Sequence, residues 1–172
     1  MKKIVLLGDS ITEGFDINKY FPGLNIVNKG IYGDNSDGVL ARLNRDVIEL
    51  RPDIVFILIG TNDFACGKTN QMIINNLTKI IKTISSSLQG TTIYLASILP
   101  VRALDNRNNT DIQKVNREMQ SISKNIGINY FDLYPNFLDS NSELASKYSD
   151  DGLHLTAEGY KKWAGLLLPI IE

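Results

Sequence analysis

Two short runs of consecutive apolar residues set the terms for the whole chain. Ile4-Val5-Leu6-Leu7 is followed by Gly8, and the almost wholly apolar run Asp53 to Ile59 is followed by Gly60. Strands with no polar alternation are buried on both faces, and they belong mostly to parallel sheets packed between helices. Parallel neighbours need a crossover connection, for which a helix is the usual solution. A chain built on these runs is therefore expected to alternate strand and helix.

The remaining segments meet that expectation. Leu24 to Gly30, Thr92 to Ser97 and Ile128 to Leu133 read as further short strands. Val39, Leu40, Leu43, Val47 and Leu50 recur at helical spacing, with Asn35 or Ser36 as cap and Pro52 as stop. Thr69 opens a long amphipathic helix closed by Gly90, with Ile73, Leu77, Ile80, Ile81, Ile84 and Leu88 on one face. Thr110 and Gln113 form the pattern of a capping box for a helix that ends at Gly127. Its apolar face carries Ile112, Val115, Met119, Ile122 and Ile126. Tyr134 to Asp150 has weak periodicity and reads as loop with short helical pieces; a last helix from Thr156 is expected to bury Tyr160, Trp163, Ala164 and Leu167. The sum is one α/β domain over residues 1–172, a three-layer α/β/α sandwich on a parallel five-stranded sheet.

Composition excludes several function classes. A hydrophobic share of 43%, a charged share of 22% and a net charge of -1 give no sign of disorder, a nucleic-acid surface or a polybasic membrane patch. The single cysteine, Cys66, rules out an internal disulfide and a thiolate metal cluster. The apolar runs are too short for a signal peptide or a membrane span, so a soluble, cytoplasmic protein is expected.

In an open parallel sheet the ligand crevice lies beyond the carboxyl ends of the strands. That rule collects Ser10, Gly33, Asn62, the polar Pro100 to Asn109 loop and Asp150-Asp151-Gly152-Leu153-His154 along one edge. Ser10 stands at a strand-to-helix junction, where helix N–H groups favour an oxyanion. On its own, Gly8-Asp9-Ser10 also reads as a turn whose Asp and Ser cap a helix, and Thr12 replaces the second glycine of a G-x-S-x-G elbow. His154 is the sole histidine, so an imidazole base must be this residue. Asp151, three positions earlier, can bond the ring Nδ1–H and leave Nε2 facing the sheet edge, with Asp150 as second choice. Asn62 offers a side-chain amide to an oxyanion while Asp63 braces its loop, and Gly33 offers an unshielded backbone N–H.

Together these residues resemble the SGNH hydrolases, the GDSL esterase and lipase family. Gly8-Asp9-Ser10 is similar to the first block of that family, Asn28 to Asp34 to the second, Gly60-Thr61-Asn62-Asp63 to the third and Asp151-Gly152-Leu153-His154 to the last. The four blocks occur in the family's order along nearly the whole chain. The resemblance implies a flavodoxin-like sheet in order 2-1-3-4-5, with Ser10 as nucleophile and Asp151 and His154 completing a triad. It also implies an oxyanion hole from Ser10, Gly33 and Asn62. A short-chain ester, acetyl first, is the expected substrate, with no metal or organic cofactor, and the activity should rise with pH as the imidazole loses its proton. A lysophospholipase or thioesterase would use the same mechanism. The rivals are a phosphate-handling enzyme with magnesium on Asp9, Asp63 and Asp151, and a non-catalytic binding module. Val101, Leu104 and Arg107 place the Pro100 to Asn109 loop either over the substrate site or in solvent.

Overall fold

In the computed structural model, described over residues 1–171, side-chain alternation along the first strand divides the protein into layers. β1 (Ile4–Gly8) pairs with β2 (Ile26–Gly30) on one side and β3 (Ile54–Leu58) on the other, and β4 (Thr92–Ala96) and β5 (Asn129–Phe131) follow. All pairings are parallel and the order is β2-β1-β3-β4-β5. Successive residues of a strand point to opposite faces. Val5 and Leu7 accordingly face α3 (Ser36–Leu43), α5 (Asn70–Ser87) and α6 (Asn109–Ile126), in a cluster with Val39, Ile73, Ile80, Ile112 and Met119. Ile4 and Leu6 face the opposite cluster, with Ile11 of α1 (Ser10–Glu13), Phe15, and Trp163 and Leu167 of α7 (Ala157–Ile171). The unbroken apolar strands are thus explained by cores on both sides of the sheet.

Some local expectations are corrected. The segment before β3 is not one helix. α3 ends at Leu43 and a wider π turn runs over Asn44–Ile48, closed by Glu49 N–H donating to Asn44 O at 2.9 Å. The turn coincides with buried Asp46, which binds Arg42, Arg45 and Lys29. α6 starts two residues early because the Asn108 side chain, not Thr110, accepts from Asp111 N–H at 2.8 Å. Tyr160 is only partly buried; its hydroxyl donates to Ile11 O at 2.9 Å and ties α7 to α1. Two short helices, α2 (Ile17–Tyr20) and α4 (Thr61–Ala65), carry no sequence periodicity long enough to announce them. Short 3₁₀ turns at Tyr134–Phe137 and Ser146–Tyr148 break the 134–150 loop as expected. No helix among the described residues is long and apolar enough to cross a membrane.

The order of strand addition reverses at β1 and β3: the connection from β1 leads to β2 on one flank, and the chain then returns to β3 on the other. Such a switch point opens a crevice at the carboxyl ends of the strands it separates.

Candidate active site

Ser10 lies at that crevice, in the first turn of α1. Asp9 caps the helix by accepting from Ile11 N–H at 2.9 Å, which leaves the Ser10 hydroxyl free to point outward. Gly8, just before, admits only a hydrogen: a Cβ there would collide with Thr12 Oγ1 and Leu58 O. The close approach of α1 to the β3 end thus depends on glycine at position 8.

Ser10 Oγ is 3.0 Å from His154 Nε2, although 144 residues separate the two in sequence. His154 Nδ1 is 2.7 Å from Asp151 Oδ2. Asp151 Oδ1 accepts from the backbone N–H groups of Leu153 at 2.9 Å and His154 at 2.8 Å, so one carboxylate both shapes the loop and orients the ring. Partial burial works to raise the Asp151 pKa, but the bonds from His154 and from these N–H groups outweigh it and hold the carboxyl well below the usual carboxylate range. Asp150 is exposed, and its carboxylate bonds to nothing among the described residues. The loop is gripped from behind by Arg102, whose guanidinium donates to Leu144 O and Ser149 O, each at 2.8 Å.

In the loop after β2, Gly33 occupies an exposed turn at φ 72°, a conformation side-chain-bearing residues seldom adopt. Its N–H donates to no group among the described residues, while neighbouring Asp34 N–H closes the turn on Ile31 O at 3.2 Å. Buried Arg42 holds this loop in place. It donates to the Asp34 carboxylate at 2.7 Å, to Gly8 O at 2.9 Å and to Lys29 O at 2.9 Å, joining the ends of β1 and β2 to the turn.

Asn62 enters from α4. Its Nδ2 donates to Asp34 O at 2.8 Å, which sets the amide against the Asp34-Asn35 peptide, next to Gly33, with a second N–H still uncommitted. Asp63, fully buried, braces this turn as expected: it accepts from Ser36 N–H at 2.9 Å and from Lys68 Nζ at 2.7 Å. Tyr32, 74% exposed, lies parallel to the His154 ring with centroids 6.4 Å apart.

Direct contacts thus join Ser10, His154 and Asp151, and beyond the carboxyl ends of the same sheet Asn62 is bonded to the loop of Gly33, while Asp150 does not join them. The set can abstract a proton from a hydroxyl, hold the resulting imidazolium and offer N–H groups to a developing oxyanion. The aspartates of the magnesium alternative do not converge. Asp9 is turned onto its helix, Asp63 onto Ser36 and Lys68, and Asp151 onto His154, and no group of three metal-binding side chains occurs among the described residues. The loop after β4 is not a free flap: Val101 is buried and Leu104 packs on the core. Sequence reasoning missed the Arg42 and Arg102 braces, since a lone arginine carries no sign of which distant carbonyl oxygens it will meet.

Known proteins resemble the chain in sequence and in fold. The model of the GDSL-like lipase/acylhydrolase family matches residues 6–162. Platelet-activating factor acetylhydrolase IB subunit alpha1 of Pongo abelii is 26% identical over 164 residues, covering 92% of this chain and 70% of that protein. An arylesterase of Vibrio mimicus is 33% identical over 100 residues, half of each chain. The crystal structure of a GDSL-like lipase from Bacteroides thetaiotaomicron superposes with a TM-score of 0.90 at 27% identity, covering 99% of this chain and 87% of that one.

Proposed function

The chain belongs to the GDSL-like lipase/acylhydrolase family, within the SGNH hydrolases, and is a carboxylic ester hydrolase; on that premise we propose that it works through a Ser10–His154–Asp151 triad and an acyl-enzyme. The observation that carries the reading is the unbroken line of contacts from Ser10 Oγ to His154 Nε2 at 3.0 Å and from His154 Nδ1 to Asp151 at 2.7 Å.

His154 Nε2 takes the Ser10 proton as Oγ attacks the ester carbonyl carbon. The carbonyl oxygen becomes an oxyanion, received by Ser10 N–H, Gly33 N–H and the free N–H of Asn62. His154 then returns its proton to the leaving alcohol as the C–O bond breaks, and the acyl group remains on Oγ. Water, deprotonated by the same imidazole, attacks the acyl-enzyme, and His154 returns that proton to Ser10 Oγ as the acyl C–O bond breaks and the acid leaves. Asp151 keeps the ring in the tautomer that presents an unprotonated Nε2 to the serine. A half-exposed His154 suits the second step, because water can reach it without any opening motion.

Short acyl esters are the proposed substrates, acetyl first. The similarity to the acetylhydrolase named above supports this choice. Activity on p-nitrophenyl acetate, abolished in Ser10→Ala and accompanied by loss of labelling by a serine-directed phosphonate, tests the nucleophile. The Ser10→Ala turnover should fall by up to about 10⁶-fold. A chain-length series of p-nitrophenyl esters separates an acetyl esterase from a lysophospholipase or thioesterase of the same mechanism.

A further inference from the structure

The oxyanion donor proposed at Asn62 has an unusual support. Arg107, from the loop after β4, directs its guanidinium fork at the first turn of α4: Nε donates to Thr61 O at 3.0 Å and Nη2 to Asn62 Oδ1 at 2.8 Å. Its third arm is fixed by Asn106 Oδ1, 2.8 Å from Nη1. On the other side, Asn62 Nδ2 donates to Asp34 O at 2.8 Å.

A primary amide can rotate by half a turn and exchange its oxygen for its nitrogen. In Asn62 that exchange would aim the amide oxygen at the nascent oxyanion and turn the donor into a repulsive acceptor. The partners forbid it. A flipped amide would set N–H against the guanidinium N–H and Oδ1 against the Asp34 carbonyl, two repulsive pairs in place of two hydrogen bonds. The cation also draws electron density from the amide oxygen, which strengthens the N–H donors at its other end. A guanidinium suits the task because its planar fork meets the Thr61 and Asn62 oxygens together, whereas a lysine ammonium is a single point charge.

We infer that Arg107 is a positioning residue for catalysis: it fixes the orientation of the Asn62 amide, and with it the oxyanion hole, without touching substrate. The inference rests on the reading of Asn62 as an oxyanion donor. It assigns the loop after β4 a role in transition-state stabilisation in place of a lid.

The test is a double-mutant cycle in the full chain with p-nitrophenyl acetate. Acyl-enzyme formation and breakdown both pass through an oxyanion, so Arg107→Met should lower kcat by about 10–100-fold with KM within about threefold. Arg107→Lys should fall between parent and Arg107→Met. In an Asn62→Ala background the Arg107→Met change should cost less than about threefold, since nothing is left to orient. Independent, multiplicative losses at the two positions would overturn the inference while leaving the oxyanion reading intact. A loss confined to KM would overturn it too, by assigning Arg107 to substrate binding. An Asn62→Ala enzyme as active as the parent would remove both the donor and the inference. If Arg107→Met does not fold, the same cycle run with Arg107→Lys decides between coupled and independent losses.

Discussion

Two aspartates flank the Ser10–His154 pair, and their surroundings push them in opposite directions. Asp9, before the serine, is 1% exposed; burial pushes its pKa up to about 7, against the lowering pull of the Ile11 N–H and of His154. Asp151, before the histidine, has a side chain 55% exposed and is held well below the usual carboxylate range by the bonds it accepts. Burial alone would single out Asp9 as the chemically interesting acid. Contact singles out Asp151, because its carboxylate meets the imidazole, whereas that of Asp9 meets only a backbone N–H of its own helix. The contrast shows how environment sorts carboxylates: in the proposed mechanism one stays ionised to hold a histidine, while the other need only cap.

The sharpest way to break that comparison is to neutralise each acid in turn. Asp151→Asn should cost about 10⁴-fold in kcat on p-nitrophenyl acetate, because the amide favours the wrong imidazole tautomer. Asp9→Asn keeps a capping oxygen and should leave turnover within about tenfold of the parent, and Asp150→Asn should do less than either. Equal losses at positions 9 and 151 would end the division of roles drawn here.

Next in size is the loss of a donor. Asn62→Ala should lower kcat by about 10²–10³-fold, with KM little changed. Activity as low as that of Ser10→Ala would mean that Asn62 does more than donate a hydrogen bond. Like Asp151, Asn62 is a polar group made useful by its partners, so the comparison extends from the acids to the amide.

Much of this was legible in the chain. Apolar runs ending in glycine fix strands buried on both faces, and the sheet-edge rule gathers Ser10, Gly33, Asn62, Asp151 and His154 before any coordinates. Asp151 and His154 are readable together because three residues is a distance over which local geometry is nearly determined. The braces are a different matter. Arg107 reaches Asn62 across 45 residues and Arg42 reaches Gly8 across 34, and no periodicity encodes such pairings. Their targets are backbone and amide oxygens, which look alike at every position in a sequence. The π turn at Asn44–Ile48 was hidden for a related reason: it accompanies the tertiary pairing of Asp46 with Lys29, while the apolar spacing around it reads as an uninterrupted helix.

Asp9→Asn, with its small effect on activity, also separates the two acids by stability. The folded protein holds the Asp9 proton more tightly than the unfolded chain does, so folding takes up a proton between the ordinary carboxylate range and pH 7. Stability contributed by this site is therefore present at low pH and lost as pH rises to about 7, by at most about 4 kcal/mol. Asp151 has the opposite sign: its contribution is present above the ordinary carboxylate range and is lost as pH falls below it. Urea denaturation at a series of pH values from 4 to 8 should show Asp9→Asn losing less stability than the parent as pH rises, with Asp151→Asn parallel to the parent over the upper part of that range. Curves for Asp9→Asn that track the parent throughout would mean that the buried carboxyl is already ionised in the folded state. The cap would then hold a charge beside His154, and Asp9 would belong with Asp151 rather than opposite it.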